Sequence, residues 1–242
     1  MVDVRRGQPP ALRYDAVLLD IDGTLVDSNG AHSAAWSDAF AANGRQYPPE
    51  QIRPLIGKGS DKLLRELASL DDEAGLGKVI SDQRAEIFKS RYLPALQATP
   101  GAATFVAWLL ENQLKVVVAT SAQQEEVKGL LAICGAQALV DDAATSDQAE
   151  RSKPDPDIVV AALKKSGSRP DLAIMIGDTP YDIEAARRAG IATIALRCGG
   201  WDDASLRGAI AIYDHPRELL ERLAESPFCS SVHPRVRAPV EM

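Results

Sequence analysis

The segment AVLLDIDGTLVDS, residues 16–28, decides the predicted fold because a short apolar run ends in two aspartates. Residues 16–20 are too few for a helix and show no hydrophobic–polar alternation, which is typical of a strand covered on both faces. Asp20 and Asp22 follow where the apolar run ends. A turn would explain the Asp-Gly pair at Asp22, but two neighbouring like charges also indicate a binding or catalytic site.

Five other apolar runs are as short as the first and are bounded by turn residues. They cover residues 115–120, 138–142, 172–178, 191–196 and 209–214. Helical patterns lie between these runs, and several of them end in glycine, a common helix stop. Alternating strands and helices predict an α/β fold with a doubly wound parallel sheet.

One long interval breaks this alternation, because residues 29–97 contain helical patterns and no convincing strand. The segment GAHSAAWSDAFAANG, for example, places apolar side chains on one face of a helix. We therefore expect an inserted all-helical domain at 29–97 and a discontinuous α/β core at 13–28 and 98–226. The ends, 1–12 and 227–242, contain prolines and lack periodicity, so we expect irregular chain there.

The composition restricts the class of partner. The chain has 242 residues, of which 45% are hydrophobic, and a formal net charge of −7. An acidic surface argues against binding to nucleic acid or to an anionic membrane. The 3 cysteines are far apart, which predicts reduced thiols and no disulfide framework. Without a long apolar run or a signal peptide pattern we expect a cytoplasmic protein. No pattern indicates the oligomeric state.

Polar side chains follow four of the predicted strands at the points where the strands end. They are Asp20 and Asp22, Thr120 and Ser121, Lys153, and Asp178 with Asp182. The carboxyl ends of parallel strands share one edge of a sheet, and ligands bind at that edge. We therefore expect these residues, which are far apart in the chain, to form one site.

The residue types in this cluster indicate metal and phosphate chemistry. A pair of like charges at roughly 4 Å costs about 4 kcal/mol in partly screened surroundings. A hard divalent cation relieves this repulsion, and Mg²⁺ suits a site with few carboxylates plus phosphate. A hydroxyl group and an ammonium group, as at Thr120 and Lys153, hold phosphate oxygens. A carboxylate that attacks a phosphate needs the same positive charges, and aspartyl-phosphate formation is a known form of covalent catalysis.

Four segments together resemble the motifs of the haloacid dehalogenase-like superfamily, and they occur in the family's order. They are DIDGTLVDS, VVVATSA, SKPDPDI and GDTPYDIEAARRAG. The helical insertion after the first segment resembles the helical cap of the phosphoglycolate phosphatase and β-phosphoglucomutase type. The resemblance extends over residues 14–225 and implies a Rossmann-like α/β core, an inserted cap and a Mg²⁺-dependent hydrolase.

The resemblance implies a role for each matching residue in phosphoryl transfer. Asp20 would be the nucleophile that takes the phosphoryl group. Asp22 would protonate the leaving oxygen and later act as the base that activates water. Thr120, Ser121 and Lys153 would hold the transferring phosphoryl group. The ordinary alternatives are a helix cap for Thr120 and Ser121 and a solvated loop position for Lys153.

The resemblance also implies how a magnesium ion would be held. Asp20, Asp178 and the backbone carbonyl of Asp22 would bind Mg²⁺. Asp182 would hold a metal-bound water or the lysine. Asp182 also fits a helix start, because the sequence TPYD combines a capping residue, a proline at the first helical position and an acidic residue in the first turn.

Two residues of the insertion are weaker candidates for contact with the substrate. A histidine near the position of His32 helps to move a hydroxyl proton in β-phosphoglucomutase relatives. His32 equally fits the inner face of a helix beside Trp36, and we favour that interpretation. Lys58 lies between glycines in LIGKGSDKLL and would reach the substrate from the insertion, with a surface hinge as the alternative.

These observations predict a Mg²⁺-dependent phosphatase that hydrolyses a small phosphorylated metabolite through an aspartyl-phosphate intermediate. The first alternative is a phosphosugar mutase on the same scaffold, which His32 favours. A dehalogenase would need neither Asp22 nor the GDTPYD segment, and a non-catalytic binding module would not need the acidic residues or the lysine. The pattern leaves the identity of the phosphate ester open.

Overall fold

A parallel sheet of five strands forms the centre of the fold. The computed structural model describes residues 12–139, 143–146 and 149–229. The strands are β1 (Ala16–Leu19), β2 (Lys115–Val118), β3 (Ala173–Gly177), β4 (Ala192–Leu196) and β5 (Ala211–Tyr213). Their order in the sheet is β2-β1-β3-β4-β5, and every neighbouring pair is parallel. The predicted α/β fold with a parallel sheet is therefore confirmed.

A helical unit, residues 29–95, follows β1 and interrupts the α/β pattern. Its α-helices are α1 (Asn29–Ala42), α2 (Pro49–Ile52), α3 (Ser60–Ala68) and α4 (Gly75–Ile87), and short π and 3₁₀ turns follow them. Its buried apolar side chains form a cluster of their own, which includes Trp36, Phe40, Ile52, Leu64 and Ile80. Because each helix contributes only a stripe of apolar residues, the helices bury these stripes against one another.

The helical unit is joined to the sheet by two neighbouring crossings of the chain. The amide of Asp27 donates to the carbonyl of Gln97 at 2.9 Å, and the amide of Thr99 donates to the carbonyl of Leu25 at 3.0 Å. The outgoing and returning segments are therefore hydrogen-bonded to each other next to the end of β1.

Helices cover both faces of the sheet. One face carries α5 (Ala102–Glu111), α6 (Gln124–Ile133) and α9 (Pro216–Glu221), and the other carries α7 (Asp157–Ser166) and α8 (Pro180–Arg188). In β1, Val17 and Leu19 pack against the first group, and Ala16 and Leu18 pack against the second. β1 therefore lacks a polar face, which explains why its sequence shows no alternation of hydrophobic and polar residues. Among the described residues, no helix combines the length and apolar character needed to cross a membrane.

The strand predicted at residues 138–142 is wrong in its described part. Ala138 and Leu139 belong to a 3₁₀ turn, Gln137–Leu139, and residues 140–142 lie outside the described part of the chain. Leu139 is buried in the core from this turn. A short apolar run can reflect a buried strand or a turn that buries a single side chain. Its hydrophobicity alone therefore does not tell a strand from a turn. Ala144 then makes a single parallel bridge with Ala119 beyond β2.

The core continues past residue 226, where the predicted irregular end of the chain begins. Phe228 and Cys229 are buried. The ring of Phe228 makes edge contacts with Tyr14, Phe105 and Trp108, at centroid distances of 6.1, 6.4 and 5.8 Å. Burial of this large aromatic side chain stabilises the fold, although Phe228 lies outside any helix or strand. The predicted irregular segments at 1–11 and 230–242 lie outside the described residues.

Candidate active site

β1 and β3 lie side by side, and an aspartate follows each of them at the same edge of the sheet. Leu19 and Ile176 are in register, so Asp20 and Asp178 begin the two loops that leave this edge. Asp182 joins them from the first turn of α8. One oxygen from each of these three buried aspartates lies within 4.8 Å of the others. We call these three residues the acidic cluster.

Lys153 forms ion pairs with two members of the acidic cluster. Its Nζ lies 2.6 Å from Oδ1 of Asp20 and 2.7 Å from Oδ1 of Asp182. It also donates to the carbonyl of Ala119 at 2.7 Å. Burial acts to lower the pKa of Lys153, but Asp182 and Asp20 raise it above its ordinary value. Lys153 is therefore a fixed buried cation, whereas a solvated loop lysine was the ordinary alternative.

The acidic cluster has more negative charge than Lys153 balances. Burial raises the pKa of Asp20 to about 8 although Lys153 opposes the change, and the charges of Asp182 and Asp22 add to it. Burial and the charge of Asp20 raise the pKa of Asp178 well above its ordinary value. Three carboxylates against one ammonium leave an excess of two negative charges when all are ionised. Buried oxygen ligands with this excess fit a divalent metal ion.

Two residues hold Asp178 in place and a glycine leaves room for them, and none of the three has a sequence assignment of its own. Asn29, the first residue of α1, donates from Nδ2 to Oδ2 of Asp178 at 2.8 Å, and Thr24 Oγ1 donates to Oδ1 at 3.2 Å. Gly23 has a φ of +77°, and a Cβ there would lie 2.1 Å from Asn29 Nδ2 and 2.3 Å from Asp178 Oδ2. Only glycine permits this approach. The available signal was the Gly-Thr pair directly after Asp22.

Asp22 contacts Ser28, the residue before the helical unit, and His32 within it. Its Oδ1 accepts a hydrogen bond from Ser28 Oγ at 2.5 Å and lies 2.9 Å from Nε2 of His32. Burial acts to raise the pKa of Asp22, but His32 and Ser28 lower it below the ordinary value. The ring of His32 is stacked on Phe88 at a centroid distance of 4.0 Å. His32 is buried, as the favoured packing interpretation expected, and it also reaches the predicted proton-transfer residue, which that interpretation did not foresee.

Thr120 and Ser121 follow β2 and lie beside the same edge of the sheet. Thr120 is buried, and its Oγ1 accepts a hydrogen bond from the amide of Ala122 at 3.0 Å, which leaves the hydroxyl proton for donation. Ser121 Oγ donates to the carbonyl of Gly57 in the helical unit at 3.2 Å. The N-cap of α6 is Gln123, so neither Thr120 nor Ser121 occupies that position.

A small pocket of about 60 Å³, open to solvent, lies between the sheet edge and the helical unit. Its lining from the α/β core includes Asp20, Asp22, Thr120, Ser121 and Glu126, and its lining from the helical unit includes His32, Trp36, Lys58 and Arg84. The helical unit therefore supplies one wall of the space next to Asp20.

The two longest cationic side chains of this wall are both paired with carboxylates. Lys58 Nζ lies 2.6 Å from Oε2 of Glu66 and 4.8 Å from the ring centre of Tyr181. Arg84 Nη1 lies 2.8 Å from Oε1 of Glu126. Neither Arg84 nor Glu126 has a distinctive sequence signal, because each resembles an ordinary charged residue on an amphipathic helix. Only the packing of α4 near α6 reveals the pair.

The sheet order, the acidic cluster and the adjoining helical unit define a class of protein. The chain belongs to the haloacid dehalogenase-like hydrolases, because the model of that family matches residues 17–196. This range contains every residue of the acidic cluster and Lys153. The resemblance inferred from the four sequence motifs is therefore confirmed.

Several known proteins are similar over most of the chain. Validoxylamine A 7′-phosphate phosphatase of Streptomyces hygroscopicus subsp. limoneus is 30% identical over 76% of this chain and 85% of its own length. Phosphoglycolate phosphatase 1 of Pseudomonas aeruginosa is 30% identical over 85% of this chain and 72% of its own length. A hydrolase of Pseudomonas syringae superposes with a TM-score of 0.80 at 31% identity, covering 87% of this chain and 98% of that structure.

These comparisons confirm the predicted class of enzyme, a haloacid dehalogenase-like hydrolase. The two curated relatives act on phosphate esters by name, which supports a phosphatase over the mutase alternative. The acidic cluster can hold a divalent metal ion. The names of the two relatives give different phosphorylated substrates. Membership of the family therefore does not identify which phosphate ester this chain binds.

Proposed function

We propose that this chain is a Mg²⁺-dependent phosphatase that hydrolyses a small phosphate monoester through an aspartyl-phosphate on Asp20. One observation carries the proposal: the carboxylate of Asp20 is held 2.6 Å from the buried ammonium of Lys153 and lines a pocket beside two further buried aspartates. Phosphoryl transfer to a carboxylate requires positive charge beside it, because the nucleophile and the phosphate are both anionic. Lys153 supplies one positive charge, and the acidic cluster can hold a divalent cation that supplies more.

The proposed reaction has two balanced steps. The Asp20 carboxylate attacks phosphorus, the bond from phosphorus to the ester oxygen breaks, and Asp22 gives a proton to the leaving oxygen. Water then attacks the phosphorus of the aspartyl-phosphate while Asp22 takes back a proton. This second step releases phosphate and regenerates the Asp20 carboxylate. Separate acid–base and nucleophilic residues explain why two aspartates lie so close together in the chain.

Other residues of the site would position the phosphoryl group. We assign the contacts with its oxygens to Lys153, Thr120 and Ser121, because ammonium, hydroxyl and backbone N–H groups donate hydrogen bonds to phosphate. The hydroxyl of Ser121 donates to the carbonyl of Gly57, so Ser121 would contact the phosphate with its backbone amide. Asp182 and the carbonyl of Ala119 would keep the lysine in place, since they lie 2.7 Å from its Nζ.

Asp20, Asp178 and the backbone carbonyl of Asp22 would hold the magnesium ion. The donor set is suitable, since hard oxygen ligands and few carboxylates favour Mg²⁺. When bound, the ion would offset the negative charge of the carboxylates and of the phosphate. Asn29 and Thr24 would orient Asp178 toward it through their hydrogen bonds.

The helical unit would act as a cap that roofs the pocket and excludes bulk water during transfer. Contacts between the cap and the core support this role. Ser121 Oγ donates to the carbonyl of Gly57, and Tyr181 Oη donates to the carbonyl of Pro54. Lys58 lies in the same part of the cap and packs over Tyr181. We infer that Lys58 contributes to the roof and that Glu66 neutralises its charge.

A phosphosugar mutase is the second candidate function, and one observation favours it. His32 Nε2 lies 2.9 Å from Asp22, a position from which it can exchange a proton with that residue. A mutase would pass the phosphoryl group from Asp20 to a second hydroxyl of the sugar, whereas a phosphatase passes it to water. Incubation with a sugar phosphate separates the two, because only the phosphatase releases inorganic phosphate in proportion to substrate loss.

The proposed function is tested with p-nitrophenyl phosphate and a set of phosphorylated metabolites, with detection of inorganic phosphate. Wild-type protein should be active with Mg²⁺, inactive after chelation and poorly restored by Ca²⁺, which prefers more ligands and looser geometry. Asp20→Asn should abolish turnover. Asp171→Asn is the matched control and should retain turnover, because Asp171 is an exposed aspartate whose carboxylate pairs with the nearby Arg169. Substantial activity of Asp20→Asn would contradict the assignment of the nucleophile.

A further inference from the structure

The pocket wall contains a buried ion pair to which we assign no step of phosphoryl transfer, although the charge of Arg84 adds to the lowering of the pKa of Asp22. Arg84 of α4 donates from Nη1 to Oε1 of Glu126 of α6 at 2.8 Å. The two side chains are only 10% and 6% exposed. The guanidinium of Arg84 also lies 5.2 Å from the ring centre of Trp36, which restricts its orientation. The pair joins the helical unit to the α/β core, and both of its members line the pocket.

Each member of this pair has a buried polar atom without a hydrogen-bond partner. These atoms are Nε of Arg84, a donor, and Oε2 of Glu126, an acceptor. Unsatisfied buried polar atoms are rare because they lose their hydrogen bonds to water without replacement. A hydroxyl group both accepts and donates, so it can pair with either atom, the donor of Arg84 or the acceptor of Glu126. A carboxylate only accepts, and it would also be repelled by Glu126.

The charges around the pocket also favour a hydroxyl group over a carboxylate on the substrate. Among the lining residues that the structure describes, Lys58 is paired with Glu66 and Arg84 is paired with Glu126. His32 lies against Asp22. A carboxylate on the organic part of a substrate would therefore have to compete with a protein carboxylate for any cation of the lining. A neutral organic part avoids that competition.

We propose that Arg84 and Glu126 form a subsite that selects phosphate esters with an uncharged, hydroxyl-bearing organic part over esters that carry a carboxylate. The substrate class is then a polyol or sugar phosphate, not a phosphorylated carboxylic acid. The inference rests on the proposed phosphatase function and adds a substrate class to it.

The test uses two pairs of substrates that differ only in a hydroxymethyl group or a carboxylate. Glycerol 3-phosphate is compared with 3-phosphoglycerate, and 2-hydroxyethyl phosphate is compared with phosphoglycolate. The selectivity is the ratio of kcat/KM for the hydroxyl member to kcat/KM for the carboxylate member. In the wild-type protein we expect this ratio to exceed about tenfold in both pairs, as expected when a charged partner is left unmatched.

Glu126→Gln should reduce the selectivity by about tenfold to a hundredfold, because it removes the repulsion and leaves Arg84 without its carboxylate. Arg84→Lys retains the positive charge and removes the Nε donor, so it should also reduce the selectivity and gives a second measurement. Lys62→Gln is the matched control. It breaks another ion pair between the helical unit and the core, in which Lys62 Nζ lies 2.6 Å from Oδ2 of Asp155. Neither of these two residues lines the pocket. It should leave the selectivity unchanged.

The possible outcomes separate the two proposals. If no ester, including p-nitrophenyl phosphate, releases phosphate, the proposed function itself fails. If p-nitrophenyl phosphate is hydrolysed but the wild-type protein prefers the carboxylate substrates or shows no preference, the subsite is refuted while the phosphatase stands. A selectivity that falls equally in Lys62→Gln would also refute the subsite, because the ion pairs would then act only by joining the two parts of the protein.

Discussion

The metal-free protein should lose stability as the pH rises from about 5 to about 8.5, and a divalent cation should reverse this loss. Burial raises the pKa of Asp20 from 3.8 to about 8. The folded state therefore keeps a proton that the unfolded chain has released. The stability associated with this proton is fully present below about pH 4 and is lost as the pH rises through about 8.

The size of the effect follows from the pKa of Asp20. Each pH unit over which the folded protein keeps this proton and the unfolded chain has lost it corresponds to about 1.4 kcal/mol. Between about pH 5 and about pH 8.5, Asp20 alone accounts for a loss of about 4 kcal/mol. The raised pKa of Asp178 acts in the same direction. The pKa of Asp22 is lowered, so its contribution is lost only on acidification and stays constant over this range.

The assay is guanidinium unfolding at several pH values, with a chelator or with MgCl₂. With the chelator, the wild-type protein should lose about 4 kcal/mol more than Asp20→Asn over this range, because asparagine does not titrate. Asp171→Asn, with an exposed side chain, should behave as the wild-type protein does. With MgCl₂ the pH dependence should largely disappear. Equal pH dependence of the wild-type protein and Asp20→Asn in the chelator would refute the reasoning.

Three further variants test individual residues. Gly23→Ala should lower the free energy of unfolding by at least about 2 kcal/mol, because the new Cβ would displace Asp178. The same variant should bind Mg²⁺ more weakly in calorimetry, and an unchanged Mg²⁺ affinity would contradict this reasoning. Phe228→Ala should cost about 3–5 kcal/mol in chemical unfolding with little change in phosphatase activity, since the ring is fully buried away from the pocket. His32→Gln should raise the pKa of Asp22 and move the corresponding limb of the kcat/KM pH profile to higher pH; an unmoved limb would argue against this pairing.

The strands were predictable where the sheet is covered on both faces. β1 and β3 are continuous apolar runs because helices pack on each side of them, and that condition is visible in the sequence. The prediction failed at residues 138–142, where Leu139 is buried from a 3₁₀ turn. Periodicity reports that a side chain is buried, and over so few residues it does not report the backbone conformation that buries it.

The convergence of the acidic cluster was also predictable, because parallel strands bring their carboxyl ends to one edge regardless of the length of chain between them. Asp20 and Asp178 follow adjacent strands, and Lys153 reaches both Asp20 and Asp182. The role of Asn29 in holding Asp178 had no comparable rule, since it depends on the direction in which α1 leaves the sheet.

By itself the sequence determined the elements of the core and the kinds of side chain at the sheet edge, because burial and backbone preference act over a few neighbouring residues. The tertiary structure alone decided which residues of the helical unit face that edge. His32 meets Asp22, and Arg84 meets Glu126 from 42 residues away. Such contacts depend on how two separately formed units pack together, and no local period of the sequence encodes those distances.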